Sequence, residues 1–296
     1  MSRRGCFWES MSKPVPSWSL ADGGSLPSRY RIVEKAAGGG AANLPVMPEH
    51  DPALQEFERR MASRYRWLFA DWEATVRAEG ERLDAILRPR GACRVLDAAC
   101  GAGTQAIALA ERGYDVVAAD ISPAMLAEAR RHAQERGLSL RGCAADFRAL
   151  PFARGRFDAV LCCGSSLAHC LTEAQLARAL GGMRAALRPG GILIADLRNF
   201  APIVRERPRF HFRQLHEHPA GRLLVFDLWD YHADGTLTFH IFFLRECRGE
   251  WQVDCLSTLQ APHLPETFAA AIDASGFVRE GWTVTDERVE AIAVAR

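Results

Sequence analysis

Between residues 93 and 197, short apolar runs alternate with amphipathic segments, and each block has the length of one strand or one helix. Runs such as VLDAA and DVVAAD predict buried strands, and TQAIALAERG between them predicts a helix. Ser122 and Pro123 stand at the start of the next amphipathic segment, where an N-cap and the first helical residue are expected. Strands that alternate with helices predict a parallel, doubly wound α/β sheet.

Beyond Phe200 the apolar runs become longer and alternate with polar residues. Three long strands are predicted within residues 222–260, with turns at Asp234-Gly235 and at Arg248-Gly249. This pattern is typical of an antiparallel meander, inserted at about residues 205–262 of an α/β domain that spans 91–296. A helix at about 264–275 and two closing strands complete that domain.

The chain ahead of residue 91 divides into two parts. Residues 1–48 are rich in Ser, Pro and Gly and lack sustained periodicity, which predicts a flexible leader. Met47 and Met61 are alternative positions at which the folded part could begin. Residues 49–90 carry apolar side chains at helical spacing as far as the break RPRG, which predicts an N-terminal helical segment.

Composition narrows the classes of partner. The chain has 296 residues, a net charge of +1 and a pI near 7.6, so no strong global field attracts nucleic acid or an anionic membrane. The basic stretch RRMASRYR is more typical of a solvated helix face. We find neither an apolar run of about 20 residues nor a signal-peptide core, and we expect a cytoplasmic protein. Nine cysteines without a C-x-x-C pair favour free thiols and no metal site.

The turn CGAG after the first predicted strand indicates an adenosine-containing ligand. Gly101 lets the backbone approach a ligand closely, and Asp120 at the end of the second strand can accept hydrogen bonds from a ribose. A dinucleotide such as NAD stays open, because Ala106 supplies the small residue that its fingerprint requires. However, Asp97 directly precedes the turn and Asp146 follows the third strand. A nearby carboxylate suits a ligand with an ammonium group, such as S-adenosylmethionine, better than a pyrophosphate.

Several segments together resemble the class I S-adenosylmethionine-dependent methyltransferases over about residues 90–200: VLDAACGAGT, VVAADIS, AADF, FDAVLCCGSSLAH and LRPGGILIADLRNF. Within that class the chain is most similar to the glycine and glycine/sarcosine N-methyltransferases. That likeness includes GSSLAH, DLRNF and the inserted meander. It implies a Rossmann-like doubly wound sheet of the seven-stranded methyltransferase type, with the meander and the N-terminal helical segment covering the cofactor as lids.

The resemblance also implies roles for individual residues. It assigns nine positions to the cofactor: Trp67, Arg77, Ala99, Gly101, Asp120, Asp146, Phe147, Cys163 and His169. Arg77 would hold the methionine carboxylate, Asp120 the ribose, and Asp146 with Phe147 the adenine. Ser165 and Arg198 match positions that meet the amino-acid substrate.

Two kinds of departure from the glycine enzymes bear on the acceptor. Ser165 stands where they have Asn, and Phe239 and Ala261 stand where they have tyrosines. The arginine is kept while the rest of the amine pocket changes, so a carboxylate-bearing substrate is supported more firmly than glycine itself. Structural roles stay open for Asp120 as a helix N-terminal acid and for Trp67 as a core aromatic residue.

The sequence therefore predicts an S-adenosylmethionine-dependent methyltransferase that acts on the amine of glycine, sarcosine or a related carboxylate-bearing small molecule. A desolvating pocket favours the neutral amine, so we expect no catalytic base. One alternative is an O- or C-methyltransferase that uses His169, His211, His232 or His240 as a base. An NAD-dependent oxidoreductase and a non-catalytic cofactor sensor are alternatives of other classes. The oligomeric state stays open.

Overall fold

The computed structural model describes residues 52–218, 221–247 and 249–296, so the predicted leader at 1–48 lies outside the described residues. The helices are α1 (Pro52–Met61), α2 (Trp72–Leu87), α3 (Thr104–Ala110), α4 (Pro123–Gln134), α5 (Glu173–Ala186), α6 (Phe200–Glu206) and α7 (Pro265–Ala274). The strands are β1 (Arg94–Asp97), β2 (Asp115–Asp120), β3 (Arg141–Ala144), β4 (Phe157–Cys162), β5 (Leu187–Arg198), β6 (Phe210–His218), β7 (Gly221–Tyr231), β8 (Leu237–Cys247), β9 (Glu250–Gln260), β10 (Phe277–Val284) and β11 (Arg288–Ala295).

The larger sheet has seven strands in the order β10-β11-β5-β4-β1-β2-β3. The five strands from β5 to β3 run parallel, β11 is added antiparallel to β5, and β10 is added antiparallel to β11. This topology confirms the predicted doubly wound sheet. Because β1 and β4 are neighbours and parallel, the residues that follow them emerge at the same edge, where open α/β sheets bind ligands.

The second sheet is antiparallel and has four strands, β6-β7-β8-β9, rather than the predicted three. The prediction missed β6, whose sequence FHFRQLHEH contains few apolar residues and carries a bulge between Phe212 and Gln214. In β8, by contrast, Phe239, Ile241 and Phe243 alternate with less buried residues, which is the period-two pattern of a half-buried strand. A polar edge strand is hard to recognise from sequence because few of its positions are buried, so apolar and polar residues do not alternate regularly along it.

The N-terminal segment is interrupted rather than continuous. A 3-10 helix at 62–68 follows α1, and α2 begins after Asp71, whose carboxylate accepts a hydrogen bond from the N–H of Ala74 at 2.9 Å. The apolar side of α1 packs into the same cluster as Met125 of α4 and Leu256 of β9. Among the helices in the described part of the chain, none is long and apolar enough to cross a membrane.

Candidate functional site

The glycine turn connects β1 to α3 at the carboxyl edge of the large sheet. Gly101 and Gly103 both have positive φ, at 51° and 95°, a conformation that favours glycine. The N–H of Gly101 donates to Oδ2 of Asp120 at 2.8 Å, and the N–H of Cys100 donates to the carbonyl of Ala119 at 2.9 Å. The turn is therefore held against the end of β2.

Asp120 lies where the sequence predicted it, beside the glycine turn. Its side chain is 6% exposed, and Oδ1 accepts a hydrogen bond from the N–H of Ser122 at 2.8 Å, at the start of α4. Burial raises the pKa of Asp120 to about 6. Each carboxylate oxygen therefore already accepts one backbone N–H, and a ribose hydroxyl would use a remaining lone pair.

Asp97 ends β1 and is almost fully buried, yet its Oδ2 has no hydrogen-bond partner in the described part of the chain. Burial, and then the charge of Asp120, raise the pKa of Asp97 to about 7. Leaving a buried carboxylate oxygen without a donor is costly. An ammonium group beside the turn would satisfy this oxygen, whereas a phosphate would not.

The acid that follows β3 is already paired. Asp146 accepts hydrogen bonds from the backbone N–H of Arg148 at 2.8 Å and from its guanidinium at 2.7 Å. Phe147 is half-buried and packs against the main core. The structure thus places the two predicted adenine residues together, but an adenine amino group would share Asp146 with Arg148, a partner that the sequence did not indicate.

The two residues predicted ahead of β1 lie in different surroundings. Trp67 packs edge-on against Phe243 of β8, with ring centroids 5.9 Å apart, and its carbonyl accepts a hydrogen bond from His216 at 2.8 Å. Arg77 lies on the exposed side of α2, where its carbonyl accepts a hydrogen bond from Arg112 at 3.3 Å. In the described part of the chain, no hydrogen bond or ion pair joins the Arg77 side chain to the glycine turn.

The less exposed face of α2 instead presents Glu79 and Arg82 toward the sheet. Glu79 accepts hydrogen bonds from Arg82 at 2.9 Å and from Gln105 of α3 at 3.2 Å. Arg82 also pairs with Glu290 of β11 at 2.6 Å. The negative charge of Glu79 is among the causes that raise the pKa of Asp97, so this network borders the glycine turn.

Tyr65 is a residue that the sequence did not single out. Its ring lies against the glycine turn, so that a Cβ placed on Gly101 would be only 3.2 Å from the ring. Burial raises the pKa of Tyr65, with Glu58, Asp97 and Asp120 as nearby negative charges. No spacing in the sequence predicts this contact, because it depends on how the 3-10 helix at 62–68 crosses the turn.

Two predicted residues that follow β4 face different partners. Cys163 is buried, and burial raises the pKa of its thiol well above the usual value, so it stays protonated. Nδ1 of His169 lies 3.3 Å from the carbonyl of Leu259 in β9, and its ring centroid is 6.4 Å from that of Phe57 in α1. His169 therefore lies where the sheet, the meander and α1 meet.

Ser165 follows β4 and Arg198 ends β5, and because these strands are neighbours and parallel the two residues lie together. Ser165 has a φ of 66°, its N–H donates to Oδ1 of Asp196 at 2.9 Å, and its Oγ accepts from the N–H of Arg198 at 3.0 Å. The Arg198 guanidinium lies over the rings of Trp229 and Phe239, at 5.4 and 5.5 Å from their centroids.

Arg198 is a largely buried cation without an ion-pair partner among residues 52–218, 221–247 and 249–296. Burial, and then the charge of Arg213, lower its pKa to about 10. Arg213 itself is neutralised by the fully buried Asp227, at 2.6 Å. The charges of Asp227 and Glu287 act on Arg198 in the opposite direction, but neither forms an ion pair with it. A largely buried guanidinium without a direct ion pair is suited to receive an anionic group from a ligand.

A cavity of about 490 Å³ opens in front of this arginine. Ser165, Asp196 and Arg198 line its inner end, and Trp229 and His211 of the meander line one side. The rings of His211 and Trp229 stack at 5.4 Å. The meander residues of this wall were not identified from the sequence, because β6 was not predicted.

The sequence is similar to those of known methyltransferases. Residues 95–191 match a family described as a methyltransferase domain. The chain is 43% identical over 153 residues to the glycine/sarcosine N-methyltransferase of Parasynechococcus marenigrum (strain WH8102), which covers 51% of this chain and 54% of the relative. It is 41% identical over 135 residues to the glycine/sarcosine N-methyltransferase of Halorhodospira halochloris, covering 45% and 50%. The chain spans about half the length of the curated relatives it matches.

Solved structures extend the likeness of the fold to most of the chain. The amino pentose methyltransferase CalS10 of Micromonospora echinaspora, solved with S-adenosylmethionine bound, matches 87% of this chain and all of its own, with a TM-score of 0.62 and 23% sequence identity. At that identity the match shows a shared fold and nothing further.

Proposed function

We propose that this chain, whose residues 95–191 form a methyltransferase domain, transfers a methyl group from S-adenosylmethionine to the amine of glycine, sarcosine or a related carboxylate-bearing compound. The observation that carries this proposal is Arg198, a largely buried guanidinium that forms no ion pair in the described part of the chain and lines a cavity beside Ser165. The named relatives methylate amines of small amino acids by their descriptions, which supports the same class of acceptor.

The residues around the glycine turn fit the cofactor. Oδ2 of Asp97 lacks a donor, and an ammonium group supplies one. Gly101 has no side chain to obstruct a ligand, and Asp120 keeps lone pairs for a ribose. When bound, the cofactor supplies a methyl group that is activated by a positively charged sulfur. We assign its binding to these residues together with Ala99, Trp67, Asp146, Phe147, Cys163 and His169.

Arg77 can hold the cofactor only if its exposed side chain changes rotamer and reaches the glycine turn. It lies on the exposed side of α2, whereas Glu79 and Arg82 face the turn. The cofactor's carboxylate would meet Arg77 after a change of side-chain rotamer, or it would meet Arg82 after Arg82 exchanges one of its acidic partners.

The protein's own contribution to the reaction is orientation and the exclusion of water. Arg198 presents a planar set of donors to the acceptor's carboxylate, which fixes where the amine points. Trp229 and Phe239 border the guanidinium and add apolar surface beside Asp196 at that end of the cavity. An apolar surrounding lowers the pKa of an ammonium and favours the neutral, nucleophilic amine. We therefore assign no residue as a general base.

We also propose that residues 52–87 act as a lid over the cofactor. Tyr65 lies on Gly101, and α1 reaches β9 and α4 through its apolar face. Glu58, on α1, lies close to Asp120, the acid assigned to the ribose. Burial, and then the charge of Asp120, raise the pKa of Glu58 to about 8. A cofactor that enters this site has to displace or rearrange these side chains.

A second candidate is O- or C-methylation, which requires a base. Of the four histidines considered for that role, His211 lines the cavity. The other three form hydrogen bonds elsewhere: His232 with the hydroxyl of Thr238, His240 with the carboxylate of Asp230, and His169 with the carbonyl of Leu259. Burial, and then the charge of Arg198, lower the pKa of His211, so it is neutral and able to accept a proton at pH 7.

A screen of acceptors for release of S-adenosylhomocysteine tests the proposal and separates the two candidates. We expect turnover with amines that carry a carboxylate, and none with the matching hydroxy acids or phenols. Turnover of hydroxy acids or phenols, with amines inert, would establish the second candidate instead. Failure of S-adenosylmethionine to bind, measured by calorimetry, would contradict both.

A further inference from the structure

The cavity in front of Arg198 is larger than the smallest acceptors need. Its volume of about 490 Å³ lies within the ~300–1,000 Å³ of typical small-molecule sites. Glycine is the smallest amino acid, and with its carboxylate on Arg198 it would leave the outer part of the cavity to water. The shape therefore allows an acceptor that extends from Arg198 toward the opening.

The wall between the inner end and the opening is largely apolar. Trp229 and the stacked ring of His211 form one side, and Pro202 and Ile203 of α6 form the other. Arg198 and Asp196 are the charged side chains at the inner end of the cavity: Arg198 has no ion-pair partner among the described residues, and Asp196 accepts the N–H of Ser165 at 2.9 Å. An aliphatic stem is the chemistry that such a wall accommodates.

The opening itself carries negative charge. Glu206 of α6 lies on one side, and Asp286 and Glu287 of the β10–β11 turn lie on the other. Glu206 is paired with Arg205 at 2.6 Å, but Asp286 and Glu287 form no ion pair in the described part of the chain. Arg288, also at the opening, is directed to Glu290 at 3.6 Å. A cationic group of a ligand would therefore find two exposed carboxylates here.

From this order of a buried cation, an apolar wall and an acidic opening, we propose that the preferred acceptor is an α-amino acid with an aliphatic stem and a second, distal cationic group. The carboxylate binds Arg198, the stem lies along Trp229, and the distal cation lies between Asp286 and Glu287. This inference rests on the proposed function for the identity of the reaction.

The chemistry of the transfer is unchanged by the longer stem. The neutral α-amine forms the new N–C bond with its lone pair. The S–C bond of the cofactor breaks and its electron pair stays on sulfur, and the proton of the amine passes to solvent. The distal cation takes no part in this step and acts only through binding.

Matched acceptors test the proposal on the full chain. Lysine and norleucine share a stem and differ in the distal ammonium, and glutamate places a negative charge near the same position. We expect kcat/KM to be highest for lysine, roughly three- to tenfold lower for norleucine, and lowest for glutamate, because two exposed ion pairs contribute modestly. The ratio of lysine to norleucine should fall toward one in high salt.

A double variant, Asp286→Asn with Glu287→Gln, should bring the ratio of lysine to norleucine close to one. Glu287→Lys should favour glutamate over lysine. Glu250→Gln, which removes an exposed carboxylate at the start of β9, is the matched control and should leave the ratio as in the wild type. A ratio is insensitive to the amount of folded protein, so a general loss of stability would not imitate this result.

The possible failures are distinguishable. If glycine has the highest kcat/KM of the series, or if the double variant keeps the preference for lysine, the inference is overturned while the proposed function stands. If no carboxylate-bearing amine is methylated, the proposed function fails. In that case calorimetry decides the inference: lysine must bind the protein more tightly than norleucine, and the double variant must remove the difference.

Discussion

The backbone N–H of Arg198 donates to Oγ of Ser165 at 3.0 Å, which ties the end of β5 to the loop after β4. Ser165 in turn donates its own N–H to Asp196. The arginine that we assign to the acceptor and the loop after β4, which we assign to the cofactor site, are therefore one hydrogen-bonded unit. Movement of either would change the angle at which the guanidinium enters the cavity.

The backbone of Ser165 gives a test of this unit. Its φ of 66° is unfavourable for a residue with a Cβ, by on the order of 1 kcal/mol. Ser165→Ala removes the hydroxyl and keeps this strain, whereas Ser165→Gly removes both. We expect Ser165→Gly to be more stable than Ser165→Ala by about 1 kcal/mol in chemical denaturation. Equal stabilities would show that the loop does not hold this conformation in solution.

Both variants lack the hydroxyl that holds the N–H of Arg198, so both should lose acceptor turnover. The loss should appear in kcat/KM for the acceptor while cofactor affinity stays within about twofold of the wild type. A variant that turns over the acceptor normally would show that Arg198 does not depend on Ser165 for its position.

The buried carboxyl group of Asp97 should lower the free energy of unfolding and strengthen cofactor binding. Burial raises its pKa to about 7, above an ordinary value of ~3.9, so between these pH values the folded protein binds more protons than the unfolded chain. The contribution of Asp97 to stability is therefore lost as pH rises through this range. Asp97→Asn cannot ionise. The unfolding free energy of this variant minus that of the wild type should therefore grow by a few kcal/mol, up to ~4, as pH rises from 4 to 8.

The same variant should bind S-adenosylmethionine at least tenfold more weakly, because a charge-assisted hydrogen bond to the ammonium is lost. Chemical denaturation of the cofactor-free protein at several pH values and calorimetry of cofactor binding measure the two effects. Parallel pH profiles for variant and wild type would mean that Asp97 is ionised and satisfied in the folded protein.

Asp120→Ala should weaken both the fold and the cofactor site. The carboxylate accepts the N–H groups of Gly101 and Ser122, so its removal leaves two backbone donors without their partner. We expect a loss of about 1–3 kcal/mol in unfolding free energy, and weaker cofactor binding beyond that loss. The control Asp84→Ala removes a half-buried acid of α2 that pairs with Arg88 and accepts a hydrogen bond from Tyr114, and it should leave cofactor affinity unchanged. Unchanged cofactor affinity in Asp120→Ala would remove this residue from the site.

The sequence predicted the parts of the site that depend on local pattern. The strand–turn–helix around Gly101 and the acid Asp120 follow from residues that are close along the chain. Ser165 and Arg198 were indicated by the family resemblance, and they lie together because parallel strands end at one edge of a sheet. These four residues lie where they were expected.

The sequence did not predict the contacts that join distant segments. Tyr65 reaches the glycine turn from the N-terminal segment, and Trp229 and His211 reach Arg198 from the meander. These contacts depend on how the two sheets and the helices pack, which hydrophobic periodicity does not specify. The exposed position of Arg77 has the same origin, since a shift of a few residues along α2 decides which side chain faces the sheet.

If Arg198 holds the carboxylate of the acceptor, the effect of Arg198→Lys must depend on that carboxylate. We therefore compare kcat/KM for an amino acid and for its amide in the wild type and in Arg198→Lys. Lysine cannot present the planar donors of arginine, so Arg198→Lys should keep cofactor affinity and lose about ten- to a hundredfold in kcat/KM for the amino acid. For the amino-acid amide, which is a poor substrate of the wild type, the same substitution should have little effect. This non-additivity, measured as a double-mutant-style cycle, is the predicted result. If the effects of the substitution and of amidation on kcat/KM simply multiply, Arg198 does not contact the carboxylate and the account is contradicted.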